Sequence, residues 1–274
     1  DSVPVGPLIE DNIAQNCIGI SNVASSVNGN SNGFSSFGYF EKGNSNFPFE
    51  DGIVLSTGNA GSGGNIQNSD ILNEGNLSWG TDNDLENVLG ISGTLNATSI
   101  SFNYLSISDQ LRFDYIFASE EYFSNFPCDD SDVFAILIRR ANTTDPFTNI
   151  ALVPETPLPI SVNTVHDEIF GFCGASNDQF FDGYNLGDTN FNGRTTVLSA
   201  ITTIEPYVDY EIKFVIADRN DQNYDSAVFI ELQSFSASVD LGDDFSTCAS
   251  DVTLDASINN PSASYSWFFN DTEI

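Results

Sequence analysis

Two stretches of this chain place acidic side chains where one apolar run ends and the next begins. The first, Leu111-Arg-Phe-Asp-Tyr-Ile-Phe-Ala-Ser-Glu-Glu121, leads after a loop to Asp130-Ser-Asp-Val-Phe-Ala-Ile-Leu137. The second, Tyr210-Glu-Ile-Lys-Phe-Val-Ile-Ala-Asp-Arg-Asn220, leads after a shorter loop to Asp225-Ser-Ala-Val-Phe-Ile-Glu-Leu232. Each reads as a strand ending in Ala, an acidic loop, then D-S-x-V-F entering another strand, which predicts two similar hairpin-like units. Side by side, they bring Glu120, Glu121, Asp130, Asp132, Asp218, Asp221 and Asp225 to one end of a β fold. Two carboxylates 4 Å apart repel by roughly 4 kcal/mol at an effective dielectric near 20. A hard cation removes that repulsion, and Ca²⁺ takes about 6 to 8 oxygens, Asn and backbone carbonyls included. Ca²⁺ is therefore the expected cofactor and these acids its candidate ligands. Side chains alternate along a strand, so only one of Glu120 and Glu121 is expected to face such a cage. The competing reading makes the same acids turn formers and strand-edge charges, and no EF-hand spacing is present.

Other chemistry finds little support. The only histidine, His166, lies in Asn163-Thr-Val-His-Asp-Glu168, but no G-x-S-x-G elbow accompanies it, so a serine triad is not indicated. Gly58-Asn-Ala-Gly-Ser-Gly-Gly64 lacks the Lys-Ser/Thr of a phosphate-binding loop. Glycoside hydrolysis by paired Glu and Asp is the enzymatic alternative, yet adjacent Glu120 and Glu121 point to opposite faces and make a poor pair. No catalytic residue is assigned. Tyr122, Phe123, Phe126, Phe180, Phe181 and Tyr184, beside the acidic loops, are candidates for stacking on sugars or for packing the core.

The elements that must position these residues are short. Apolar runs rich in β-branched and aromatic residues alternate with Asn, Gly, Ser and Asp clusters over the 274 residues, which predicts an all-β, jelly-roll-like β-sandwich. Strands are expected at 18–23, 37–40, 52–56, 98–105, 110–118, 133–139, 150–152, 195–200, 210–217 and 228–235. Short helices are expected after Thr81 and over 8–15. Near residue 238 the pattern changes. Cys248 and Trp267 are spaced like the B and C strands of an immunoglobulin-like sandwich, so 1–237 is read as one domain and 238–274 as the start of a second.

Composition bounds the partners. Asp and Glu total 39 against 7 Lys and Arg, a formal net charge of -32, which disfavours nucleic acid and anionic lipid. No apolar run is long enough to span a membrane. The start at Asp1 and the lack of Met fit a mature exported chain. In such a chain Cys128 and Cys173, both in Gly/Asn/Asp-rich loop sequence, are the first expected disulfide, with Cys17 unassigned and Cys248 paired within the second domain.

Asp51-Gly-Ile-Val-Leu-Ser-Thr-Gly58, Phe113 to Tyr122, Asp132-Val-Phe134, Asn149 to Pro154, Thr195 to Ala200, and Ile216-Ala-Asp218 with Tyr224 to Phe229 together resemble the choice-of-anchor L domain. The resemblance runs in order through most of 1–237. It implies a secreted or cell-surface protein of the kind Bacteroidota export by the type IX system, followed by immunoglobulin-like repeats, with an adhesive role toward a glycan or protein partner. Gliding or biofilm adhesion, or a purely structural place in a surface fibre, belongs to the same expectation. Arg194 departs from the pattern, where an aromatic is more usual. Asp225-Ser-Ala resembles the O-glycosylation motif of that phylum.

Overall fold

A computed structural model describes residues 4–13, 19–26, 33–64, 71–75, 79–105, 108–129, 131–231, 266–269 and 272–273. Its strands are β1 (Gly19–Ser25), β2 (Phe37–Glu41), β3 (Asp51–Ser56), β4 (Thr94–Leu105), β5 (Gln110–Ser119), β6 (Val133–Arg140), β7 (Thr148–Asn149), β8 (Phe181–Tyr184), β9 (Gly193–Thr195), β10 (Leu198–Thr203), β11 (Asp209–Arg219) and β12 (Ser226–Glu231), with β13 (Phe268–Phe269) and β14 (Thr272–Glu273) as a separate pair. One sheet runs β1-β4-β11-β6-β7. The other runs β2-β3-β12-β5-β9-β8, with β10 also on β5, and the strand pairs are antiparallel.

The two sheets close on one aromatic core. Alternate residues point inward: Phe102 and Tyr104 from β4, Phe113, Tyr115 and Phe117 from β5, Phe134 and Ile136 from β6, Phe214 and Ile216 from β11, Val228 and Ile230 from β12. Phe113 meets Phe214 edge-on across the sheets at 5.2 Å, and Tyr115 meets Phe134 at 5.3 Å. The outer faces are covered too. Phe47, Phe49, Leu72 and Phe191 pack on Val54, Ile116 and Phe229, while Leu85 and Phe147 pack on Val133, Leu137 and Val215. Burial on both faces explains why these strands read as nearly unbroken apolar runs.

Two short helices accompany the sandwich. α1 spans Val5–Ile13, and α2 spans Asn83–Leu89. The α2 cap is Asp82, which accepts from Leu85 N, and the helix stops at Gly90 with φ 66°. No described helix is long and apolar enough to cross a membrane. The expected strand over 195–200 is divided between β9 and β10, and β8 adds a strand the pattern did not reveal. Cys17, Cys248 and nearly all of 238–274 lie outside the described residues.

The largest correction concerns the repeated units. They are not hairpins: β5 and β6 lie in different sheets, and so do β11 and β12. Each unit crosses from one sheet to the other, and the units interlock, with β12 pairing β5 and β6 pairing β11. Ser226 sits opposite Ser119 and Ala217 opposite Val133, so both crossovers occur at the same end of the sandwich.

Candidate functional site

At that end the inward-facing positions turn polar. Continuing the alternation by one step beyond the aromatic core reaches Thr57 after β3, Ser119 on β5, Asp132 before β6, Asp218 on β11 and Ser226 on β12, and two steps along β4, past Thr98, reach Asn96. All are buried. They bond to one another as a layer. Ser226 Oγ donates to Asp132 Oδ2 at 2.6 Å and lies 2.8 Å from Ser119 Oγ. Thr57 Oγ1 accepts from Ser226 N at 3.0 Å, and its hydroxyl also bonds Asp218. Asn96 Nδ2 donates to Asp218 Oδ2 at 2.7 Å.

A β-bulge helps to place Asn96. Opposite Asn96 and Ala97, the register of β4 on β11 shifts between Ile216 and Asp218, and Asn96 takes φ 48°. Asn tolerates the left-handed region, and bulges re-aim side chains near the ends of sheets.

A second tier surrounds this layer. Glu121 Oε2 accepts from Asp132 N at 2.9 Å, and Asp132 Oδ1 accepts from Arg219 N at 3.2 Å. Asp225 accepts from Glu74 N through both oxygens, at 3.2 and 2.9 Å, and its backbone N donates to Leu72 O. Glu120 Oε1 accepts from Leu72 N at 3.3 Å. The segment 71–75 thus covers Glu120 and Asp225, while Glu121 is held by the 131–132 segment. Glu120 and Glu121 engage different partners, and both are buried.

Of the acids singled out by the repeat, Glu120, Glu121, Asp132, Asp218 and Asp225 are brought to one end of the fold. Asp221 is not: it is exposed and turns back on its own loop, accepting from Asn223 N at 2.8 Å. Asp130 lies outside the described residues. Among the described residues no three His, Cys, Asp or Glu side chains are gathered so as to hold a metal ion by themselves.

Burial dominates the electrostatics. It pushes Asp132 well above the usual carboxylate range, reinforced by the charges of Glu121 and Asp218. Burial does the same to Asp218, opposed by bonds from Thr57 and Asn96 and reinforced by Asp225 and Glu121. Glu120 is raised to about 7 by burial, and Asp225 to about 6. Apart from Arg219, which adjoins Asp218, the basic side chains are engaged elsewhere: Lys42 with Glu50, Arg112 with Asp114, Arg139 with Glu211, Arg140 with Glu205, and Lys213 with Asp82 and Asp84. Arg194, buried, forks between Asp182 and Asp188 at 2.8 Å each and faces the Phe47 ring at 5.2 Å.

Beside this end the expected disulfide between Cys128 and Cys173 is present, with Cα atoms 5.7 Å apart, and it braces a feature that sequence reasoning missed. It ties a small two-stranded turn, bridged at His166 with Ser176 and at Ile169 with Cys173, to the loop leaving β5. At its tip Phe170 is 91% exposed and Phe172 66%, and on the β5 loop Phe123 is 53% exposed. The sequence signal was Phe-Gly-Phe directly before Cys173, two aromatics flanking a glycine on a turn. The aromatics that were singled out are mostly packed. Tyr122 is buried and donates to Val165 O at 2.9 Å, Phe181 and Tyr184 pack around it, and Phe126 meets Tyr224 at 4.8 Å. His166 Nδ1 lies 2.6 Å from Asp167 O, a main-chain contact rather than a triad. The glycosylation reading of Asp225-Ser-Ala is overturned, because Ser226 is wholly buried in the polar layer.

Comparison with known proteins gives one strong match. Residues 1–236 match the family model described as choice-of-anchor L domain. No curated protein matches the chain. Among solved structures it is similar to the K2 cleaved adhesin domain of Lys-gingipain, at 10% sequence identity and a TM-score of 0.29, over 76% of this chain and 87% of that one. A likeness of that size carries no argument here.

Proposed function

The chain belongs to the choice-of-anchor L domain family, and from that premise we propose that it is a secreted, cell-surface adhesion module without catalytic activity, whose contact surface is the disulfide-tied Phe170–Phe172 turn. The exposure of these two rings carries the reading. Large apolar side chains left in water at the tip of a covalently braced turn mark a contact surface. The partner we favour is a neutral glycan. Flat rings stack on sugar faces, while Asp167 and Glu168, on the same turn, offer acceptors to hydroxyls. A net charge of -32 disfavours phosphate-rich, acidic-lipid and sulfated partners. The acids that an enzyme would need are instead buried and hydrogen-bonded within the fold. Export by the type IX route and attachment to the outer surface complete the proposal.

Screening the chain against immobilised neutral glycans tests it. Binding to at least one class is expected, and the Phe170→Ala/Phe172→Ala variant should lose it. Binding by the double variant equal to the parent's would remove the turn from the account. Product released from a polysaccharide and abolished in Glu120→Gln would replace it with the glycosidase reading.

A further inference from the structure

The polar layer contains more acceptors than donors. Asp218 and Asn96 are both 0% exposed, and their mutual bond leaves Asp218 Oδ1 and Asn96 Oδ1 as buried oxygens with no hydrogen-bond partner among the described residues. Nearby hydroxyls are committed, since the Thr57 hydroxyl already bonds Asp218 and Ser226 donates to Asp132. Asp225 lies close enough to raise Asp218 by its charge. The backbone is also shaped around these groups. A Cβ on Gly58 would come within 2.0 Å of Asp225 Oδ2. One on Gly75 would come within 2.5 Å of Asn96 Nδ2 and 3.1 Å of the Thr57 carbonyl oxygen.

We infer that Asp218, Asn96 and Asp225, with the Thr57 carbonyl, form a site for one hard divalent cation, Ca²⁺, at the closed end of the sandwich. A proton shared between Asp218 Oδ1 and Asn96 Oδ1 would also pair both oxygens, as an acid–amide ring with the Nδ2–Oδ2 bond, and a chain in that state retains no Ca²⁺. A water would bridge both oxygens but leave the carboxylate charges facing one another. A cation answers both needs. The donors are all oxygens and half of them neutral, which suits Ca²⁺ with its flexible shell better than Zn²⁺, which favours nitrogen and sulfur, or Mg²⁺, which demands a strict octahedron. The set does not need three acids placed to hold a metal by themselves, which the described residues lack: two carboxylates supply charge, and amide and backbone oxygens supply the remainder. This site is independent of the aromatic turn, so either can fail alone.

Metal analysis and thermal unfolding of the whole chain decide it. After chelator treatment and reloading with CaCl₂ alone, about one Ca²⁺ per chain should remain through desalting. Saturating Ca²⁺ should raise Tm by about 5–10 °C over the chelated protein. Asp218→Asn should lose the bound ion and the Ca²⁺ shift while unfolding in chelator no earlier than the parent. Asn96→Gly suits the left-handed backbone and removes the amide oxygen together with the Nδ2 bond to Asp218, so it should weaken Ca²⁺ binding about tenfold or more even if Asp218→Asn does not fold. Asp221→Asn and Phe170→Ala should keep the full shift. A parent chain that retains no Ca²⁺ and unfolds identically with and without it overturns the inference, and so does Asn96→Gly binding as tightly as the parent.

Discussion

At the scale of single residues, the buried layer makes the chain sensitive to changes that remove one partner and strand the other. Asp132→Ala would leave Arg219 N and the Ser226 hydroxyl facing an apolar gap. A loss of about 2–4 kcal/mol is expected, read by urea unfolding, because each buried donor left without its acceptor costs about 1–3 kcal/mol. Titration gives a second expectation. Burial raises Glu120 to about 7, opposed by the Leu72 N–H and reinforced by Asp225, and burial raises Asp225 to about 6. A raised pKa means that the folded chain prefers the protonated form. That contribution is complete below about pH 4 and disappears as pH rises through 6 and 7. In chelator, Tm should therefore fall between about pH 5 and about pH 8; a Tm that rises over that range would contradict the assignment. The gathering of Glu120, Glu121, Asp132, Asp218 and Asp225 was legible, because an internal repeat marks them. Thr57, Asn96, Ser119 and Ser226 were not, since small neutral residues acquire meaning only once strand register shows that they face inward.

At the scale of elements, the crossovers and the braced turn carry the site. The long inner strands were legible from their apolar runs and from the turn residues at their ends. Their sheet membership was not. Strands buried on both faces lack the apolar-polar alternation that would assign them to a sheet, so a unit crossing between sheets looks like a hairpin in one. Two expectations belong here. Gly58→Ala would drive a methyl into Asp225, and an overpacking cost of about 1–3 kcal/mol is expected by denaturant unfolding. Cys128→Ser/Cys173→Ser opens a link across 45 residues, for which loop entropy suggests a loss of up to about 4 kcal/mol. The same double variant should also weaken glycan binding, since Phe170 and Phe172 would no longer be held. Unchanged binding would show that the brace does not serve the surface.

At the scale of the molecule, charge and fold were read from different signals. Aromatic and β-branched content at short intervals pointed to a sandwich, and both sheets are present with a shared core. Net charge disfavoured anionic partners without saying where the acids sit; the fold gathers five of them at one end, while others, such as Glu211 and Asp84, pair with basic side chains. The remaining self-repulsion should be screened by salt, so Tm in chelator should rise steadily as NaCl increases from low to moderate concentration. A fall would contradict a surface dominated by like charge.

The central claim is that this fold presents Phe170 and Phe172 to a sugar surface. The most direct measurement is the affinity of the parent chain and of Phe170→Ala/Phe172→Ala for the best neutral glycan found by screening, by calorimetry in Ca²⁺-containing buffer. Loss of two stacked rings should weaken binding at least tenfold, and by about a hundredfold if each contributes about 1.4 kcal/mol, with Tm unchanged. Equal affinities at equal Tm would place the contact elsewhere and contradict the account.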